Sequence, residues 1–126
     1  MKIGIIPDPE GHRDWPVIRA LLEPAAKRGG VPILERNEAV WAVYADGPIA
    51  AATARLTTDG HGEVILVGGA NFREWIGQLD WLIGSWMRRE GMRSVRAYGR
   101  KGWRKILKDW TVIGNEGGMT AYERAL

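Results

Sequence analysis

From Glu63 to Tyr98 the chain reads as strand, helix, strand, and few folds accommodate that unit in so short a segment. Val64, Ile65, Leu66 and Val67 form a β-branched-rich apolar run closed by Gly68-Gly69, the pattern of a buried strand ending in a turn. From Phe72 the apolar residues fall at Phe72, Trp75, Ile76, Leu79, Leu82, Ile83, Trp86 and Met87. At about 100° per residue they occupy one helical stripe roughly 140° wide. Gly91 stands where a helix C-terminal glycine belongs, after Arg88 and Arg89, and Ser94 to Tyr98 returns as a second strand. A strand, a crossover helix and a strand in this span imply parallel pairing.

The flanking segments supply antiparallel partners. Lys2 to Ile6 reads as a first strand, stopped by Pro7 and Pro9. Asp14 caps a helix with Pro16 in its first turn, Trp15, Ile18, Leu22 and Ala25 follow helical spacing, and Gly29-Gly30 ends it. Pro24 is expected to divide this element into two short helices. Ala39 to Ala45 and Ile49 to Thr57 form a hairpin about Asp46-Gly47, and a turn at Asp59 to Gly62 leads into the Glu63 strand. Trp103, Ile106, Leu107 and Trp110 make the stripe of a short amphipathic helix. Thr111 to Ile113 and Met119 to Glu123 close the fold as a hairpin. The expectation is one α/β (α+β) domain over residues 1–126, a mixed, mostly antiparallel sheet with a central parallel pair and flanking helices.

With 45% hydrophobic residues the chain can bury a real core. It has no cysteine, so disulfides and thiolate chemistry are excluded, and His12 and His61 lack the neighbours a metal site needs. The apolar segment after Lys2 is too short for a signal peptide and no run reaches membrane-spanning length, so a cytoplasmic protein without membrane contact is expected. The net charge of +3 conceals an asymmetry: Arg88 to Lys108 carries nine basic residues against Glu90, making that segment +8 and the remainder −5. Such a block attracts a phosphorylated cofactor or nucleic acid, or it is a solvated face.

Candidate chemistry is sparse. Ser85 lies mid-helix and Ser94 begins a strand, so neither occupies a nucleophile elbow. Glu63 and Tyr98 flank the same sheet and can act as base and acid, or stand as a strand-end carboxylate and a half-buried tyrosine. Gly68-Gly69 between strand and helix suits either backbone contact with phosphate or an ordinary tight turn. Trp81 lies opposite the apolar stripe, with Gly77 four residues before and Gly84 three after, which predicts a second surface against it, from the same chain or from a partner.

The order of these elements resembles the GNAT acyl-CoA N-acyltransferases over nearly the whole chain, most specifically through Val64 to Gly91 and Ser94 to Trp110. That resemblance implies that the Glu63–Val67 and Ser94–Tyr98 strands splay apart with an acyl-CoA, here acetyl-CoA, in the opening. It places Val67, Gly68, Gly69 and Arg73 against the cofactor and Glu63 with Tyr98 at the reacting groups. In the family the pyrophosphate sits in a Gln/Arg-x-x-Gly-x-Gly/Ala loop at the N-terminus of the central helix. Here the corresponding stretch is Arg73-Glu74-Trp75-Ile76-Gly77-Gln78, in which Ile76 and Gln78 replace small residues and are expected to obstruct the cradle. Leu107 stands where many members carry an acidic tyrosine. Gly99-Arg100-Lys101-Gly102-Trp103 resembles the Gly-Arg-x-Gly-Trp segment of small GNAT-like proteins of phages and prophages, some of them internal virion components.

Together these imply a GNAT scaffold with a degenerate acyl-CoA site, binding acetyl-CoA weakly or not at all, in a phage- or prophage-derived structural or interaction protein. Its expected partners are other virion proteins or a second copy through the Trp81 face, in the host cytoplasm or the virion. An active acetyl-CoA-dependent N-acetyltransferase is the alternative, and nucleic-acid binding through Arg88–Lys108 is the third reading.

Overall fold

A computed structural model describes residues 1–35 and 37–126. In chain order the elements are β1 (Lys2–Ile6), α1 (Trp15–Gly29), β2 (Glu38–Ala45), β3 (Gly47–Leu56), β4 (His61–Gly69), α2 (Phe72–Arg89), β5 (Ser94–Gly99), β6 (Thr111–Glu116) and β7 (Met119–Ala125). The strands form one sheet in the order β1-β2-β3-β4-β5-β7-β6. β4 and β5 are parallel, in register from His61 opposite Ser94 to Val64 opposite Ala97, and the other described pairings are antiparallel. The expected mixed sheet with its central parallel pair is therefore present, with α2 as the crossover.

The two helices pack on opposite faces. Trp75, Leu79, Ile83 and Met87 of α2 are buried against Trp41, Val43, Ala52 and Val95, while Ile18, Leu22 and Ala26 of α1 meet Val40, Ala42, Ala51 and Leu66. Alanines fill the middle of β3, and α1 approaches it closely. Gly68 belongs to this packing: a Cβ there would run into the Leu21 carbonyl oxygen of α1. Trp86 is half-buried, edge-on to Trp41 at 5.9 Å between ring centroids.

Three expectations are corrected, and that for Trp81 is narrowed to a partner. α1 is a single helix through Pro24, because Leu22 and Ala26 anchor both sides of it and the exposed Ala20 leaves the carbonyl freed by the missing N–H facing water. Asp14 precedes α1 without a side-chain capping bond; its carboxylate instead accepts from the Tyr44 hydroxyl at 3.0 Å. The predicted amphipathic helix after β5 is a 3-10 turn over Lys101–Lys105, since Trp103 and Trp110 are drawn to different partners, Phe72 and Arg124. Trp81 is 67% exposed and no other part of the described chain covers it, while Gly84 is buried beneath Arg124 and Leu126.

Candidate functional site

Beyond Val64 and Ala97 the parallel ladder ends and the two strands part. Just before the gap, Ile65 is an extra residue in the register between β3 and β4: Thr53 faces Leu66 and Ala54 faces Val64. Such a bulge bends the strand and breaks its pairing locally. Between the diverging strands lies a cavity of about 590 Å³, walled by Val67, Ile76, Leu79, Leu107 and Trp110.

Its polar end is built by strand alternation. Gly62 faces Met87 of α2, so Glu63 points to the opposite face, and Arg55 and Arg96, next to the α2-facing Ala54 and Val95, point with it. The registers then align Glu38, Arg55, Glu63, Arg96 and Glu123 as a row of alternating charge across β2, β3, β4, β5 and β7. Glu63 is only 8% exposed. Its Oε1 accepts from Arg55 Nε at 2.8 Å and its Oε2 from the Tyr98 hydroxyl at 3.1 Å, with His61 Nε2 at 3.9 Å from the latter oxygen. The next pair in the row, Arg96 Nε to Glu123 Oε2, is 2.7 Å.

These contacts set the electrostatics. The hydrogen bond to Glu63 holds the Arg55 guanidinium above its ordinary pKa, and that to Glu123 does the same for Arg96. Burial pushes the Glu38 carboxyl up, against a smaller opposing contribution from the Thr53 hydroxyl. Chemically, a buried carboxylate with a tyrosine hydroxyl on one oxygen can accept a proton at the place where the strands separate.

Of the sequence candidates, Glu63 and Tyr98 come together, and Val67 lines the cavity. Gly68 backs onto α1 and Gly69 onto Ala50. Arg73 is exposed and lines a separate outer hollow at the N-terminus of α2, beside Asn71, Glu74 and Arg100. Arg55 and Glu38 were not foreseen as site residues; the signal for Arg55 was its placement opposite Glu63 across the Asp59–Gly62 turn.

The segment that leads into α2 is short. Ala70 and Asn71 alone link β4 to α2, and Arg73 to Gln78 are helical rather than a loop. Trp75 Nε1 donates to the Ala70 carbonyl at 2.7 Å and tightens that link. Gln78 is exposed and lines neither hollow, Ile76 belongs to the cavity wall, and Trp103, which lines both hollows, stands edge-on to Phe72 at 4.7 Å. Leu107 is buried where the resemblance implied an acid.

The basic segment is divided by the fold. Arg88, Arg89 and Arg93 precede β5 and Arg100 to Lys108 follow it, so six strand residues, about 20 Å, separate the two groups. Among the described residues no group of three His, Cys, Asp or Glu could hold a metal ion, and no helix is long and apolar enough to cross a membrane.

No family model matches the sequence, and a search of curated proteins finds no match. Solved structures do match. The IAA acetyltransferase of Bacillus cereus superposes with a TM-score of 0.72 at 14% identity, over 99% of this chain and 99% of that one. The PaiA N-acetyltransferase of Thermoplasma acidophilum, solved with coenzyme A, gives 0.70 at 14% identity over the full length of both. The GNAT domain of S. lividans PAT gives 0.69 at 16% identity, over 98% of this chain and 89% of that one. The chain has the GNAT fold of the acyl-CoA N-acyltransferases.

Proposed function

We propose that this GNAT-fold chain has lost acyl-CoA chemistry and serves as a structural or interaction protein derived from a phage or prophage. The observation that carries the reading is the Phe72–Trp103 contact across the passage to the α2 N-terminus, where the two-residue link leaves no glycine-rich loop. The Gly99-Arg100-Lys101-Gly102-Trp103 segment supports it doubly. It resembles small phage proteins, and its Trp103 is the ring that fills the passage. The exposed Trp81 face is the surface offered to another virion protein or a second copy, in the host cytoplasm or the virion. Titrating acetyl-CoA into the native protein by calorimetry tests this: no heat is expected at micromolar concentrations, and micromolar affinity would overturn it.

An acetyl-CoA-dependent N-acetyltransferase is the second reading, favoured by Glu63 and Tyr98 at the point where β4 and β5 part. On it Glu63 takes the proton of an acceptor amine. Acetylation of an amine panel that disappears in Glu63→Gln would establish it. Nucleic-acid binding stands third, through whichever of the two basic groups flanks β5; it predicts affinity that falls steeply with salt.

A further inference from the structure

We infer that the closure of the groove resides in one side chain, Trp103, and that behind it the chain keeps a continuous groove from Glu63 to the first turn of α2. This rests on the proposed loss of acyl-CoA binding and assigns its cause.

Two hollows meet at this residue. The inner cavity, about 590 Å³, ends at Arg100 and Trp103, and the outer hollow, about 600 Å³, begins at the same two residues. Trp103 is therefore a partition between them, with Phe72 abutting it from the helix side at 88° between ring planes. Gly99 lies close under the indole: a Cβ there would stand 3.1 Å from Trp103 Cδ1. Gln78 touches neither space, so enlarging the site at that position would open nothing.

The turn that carries the partition is anchored from outside by the buried Tyr122, whose hydroxyl donates to the Arg100 carbonyl at 2.9 Å. The 3-10 turn itself is closed by local bonds, Trp103 N to the Arg100 carbonyl at 3.1 Å and Leu107 N to the Trp103 carbonyl at 2.8 Å. Lys101, Gly102, Arg104 and Lys105 are all exposed. Short 3-10 turns have poor hydrogen-bond geometry, and here burial comes from Leu107 just beyond the turn. Removing the indole joins the hollows, with the basic Arg73 and Arg100 at one end and Glu63 at the other.

The test is calorimetric titration of coenzyme A into the native protein, Trp103→Ala and Gln78→Gly, each first verified as folded by circular dichroism and thermal melting. Trp103→Ala is expected to bind at least about tenfold more tightly than the native protein, and Gln78→Gly no more tightly. Trp103→Leu supplies a second route, since it removes the ring while keeping an apolar side chain in the turn; it should gain affinity in the same direction. If the folded variants at 103 bind no better than a non-binding native protein, the inference is overturned while the loss of acyl-CoA binding stands. If the native protein already binds at micromolar concentration, both fail.

Discussion

The Tyr98 hydroxyl donates to Glu63 Oε2 at 3.1 Å across the parallel pair, diagonally over the last rung formed by Val64 and Ala97. This contact spans the point where β4 and β5 separate, so it ties the mouth of the cavity together. Tyr98→Phe should lower stability by about 0.5–1.5 kcal/mol, the usual net worth of one hydrogen bond, measured by urea denaturation. Arg55→Ala should cost more, about 1–3 kcal/mol, because it leaves the buried Glu63 carboxylate without its ion partner. Equal effects of the two substitutions would contradict the asymmetry of the site.

Glu38 gives a pH dependence of definite sign. Its carboxyl titrates above the ordinary 4.5 because burial disfavours the charged form. The folded state therefore binds more protons than the unfolded state just above pH 4.5, and stability falls as pH rises through that window. Glu38→Gln should remove this decline and be more stable than the native protein near neutrality, read from urea midpoints across the pH range. A steeper decline in the variant would show that the charged carboxylate is stabilising.

On α2 the buried and exposed faces should respond very differently. Leu79 is 2% exposed, and Leu79→Ala should cost about 2–5 kcal/mol for the lost contacts and the cavity left behind. Trp81→Ala should change monomer stability by no more than about 0.5 kcal/mol. If a second copy occupies that face, the substitution should lower the mass measured by light scattering.

Pro24 lies inside α1 with no backbone donor to offer. Pro24→Ala restores the missing hydrogen bond and should raise the melting temperature, with a gain of up to about 3 kcal/mol, the intrinsic difference between the two residues in a helix interior. No gain would mean that water already satisfies the Ala20 carbonyl as well as the restored bond does.

The contrast between Leu79 and Pro24 shows where local pattern suffices. The β4–α2–β5 unit is legible because a β-branched run and a helical stripe are dictated by neighbours a few residues apart, and tertiary packing reinforces both. Pro24 misleads because the burial of Leu22 and Ala26 outweighs a local preference. Glu63 and Tyr98 are legible as candidates, yet Arg55 follows only once the β3–β4 register is known. Trp103 escapes for a different reason: its contact with Phe72 joins residues 31 apart in the sequence, and the same apolar spacing that suggested a helix equally serves a ring pulled across a groove.

β6 precedes β7 in the chain but reaches the sheet solely through it, since β7 lies between β5 and β6. During synthesis Thr111–Glu116 thus emerges with no edge to join, and the outer edge of β5 stays open until Met119–Ala125 arrives. Folding of this side of the molecule therefore waits for Met119–Ala125, and the β6–β7 hairpin can close on itself within microseconds before docking as a pair. Mutations that weaken the hairpin turn should consequently slow folding more than they speed unfolding.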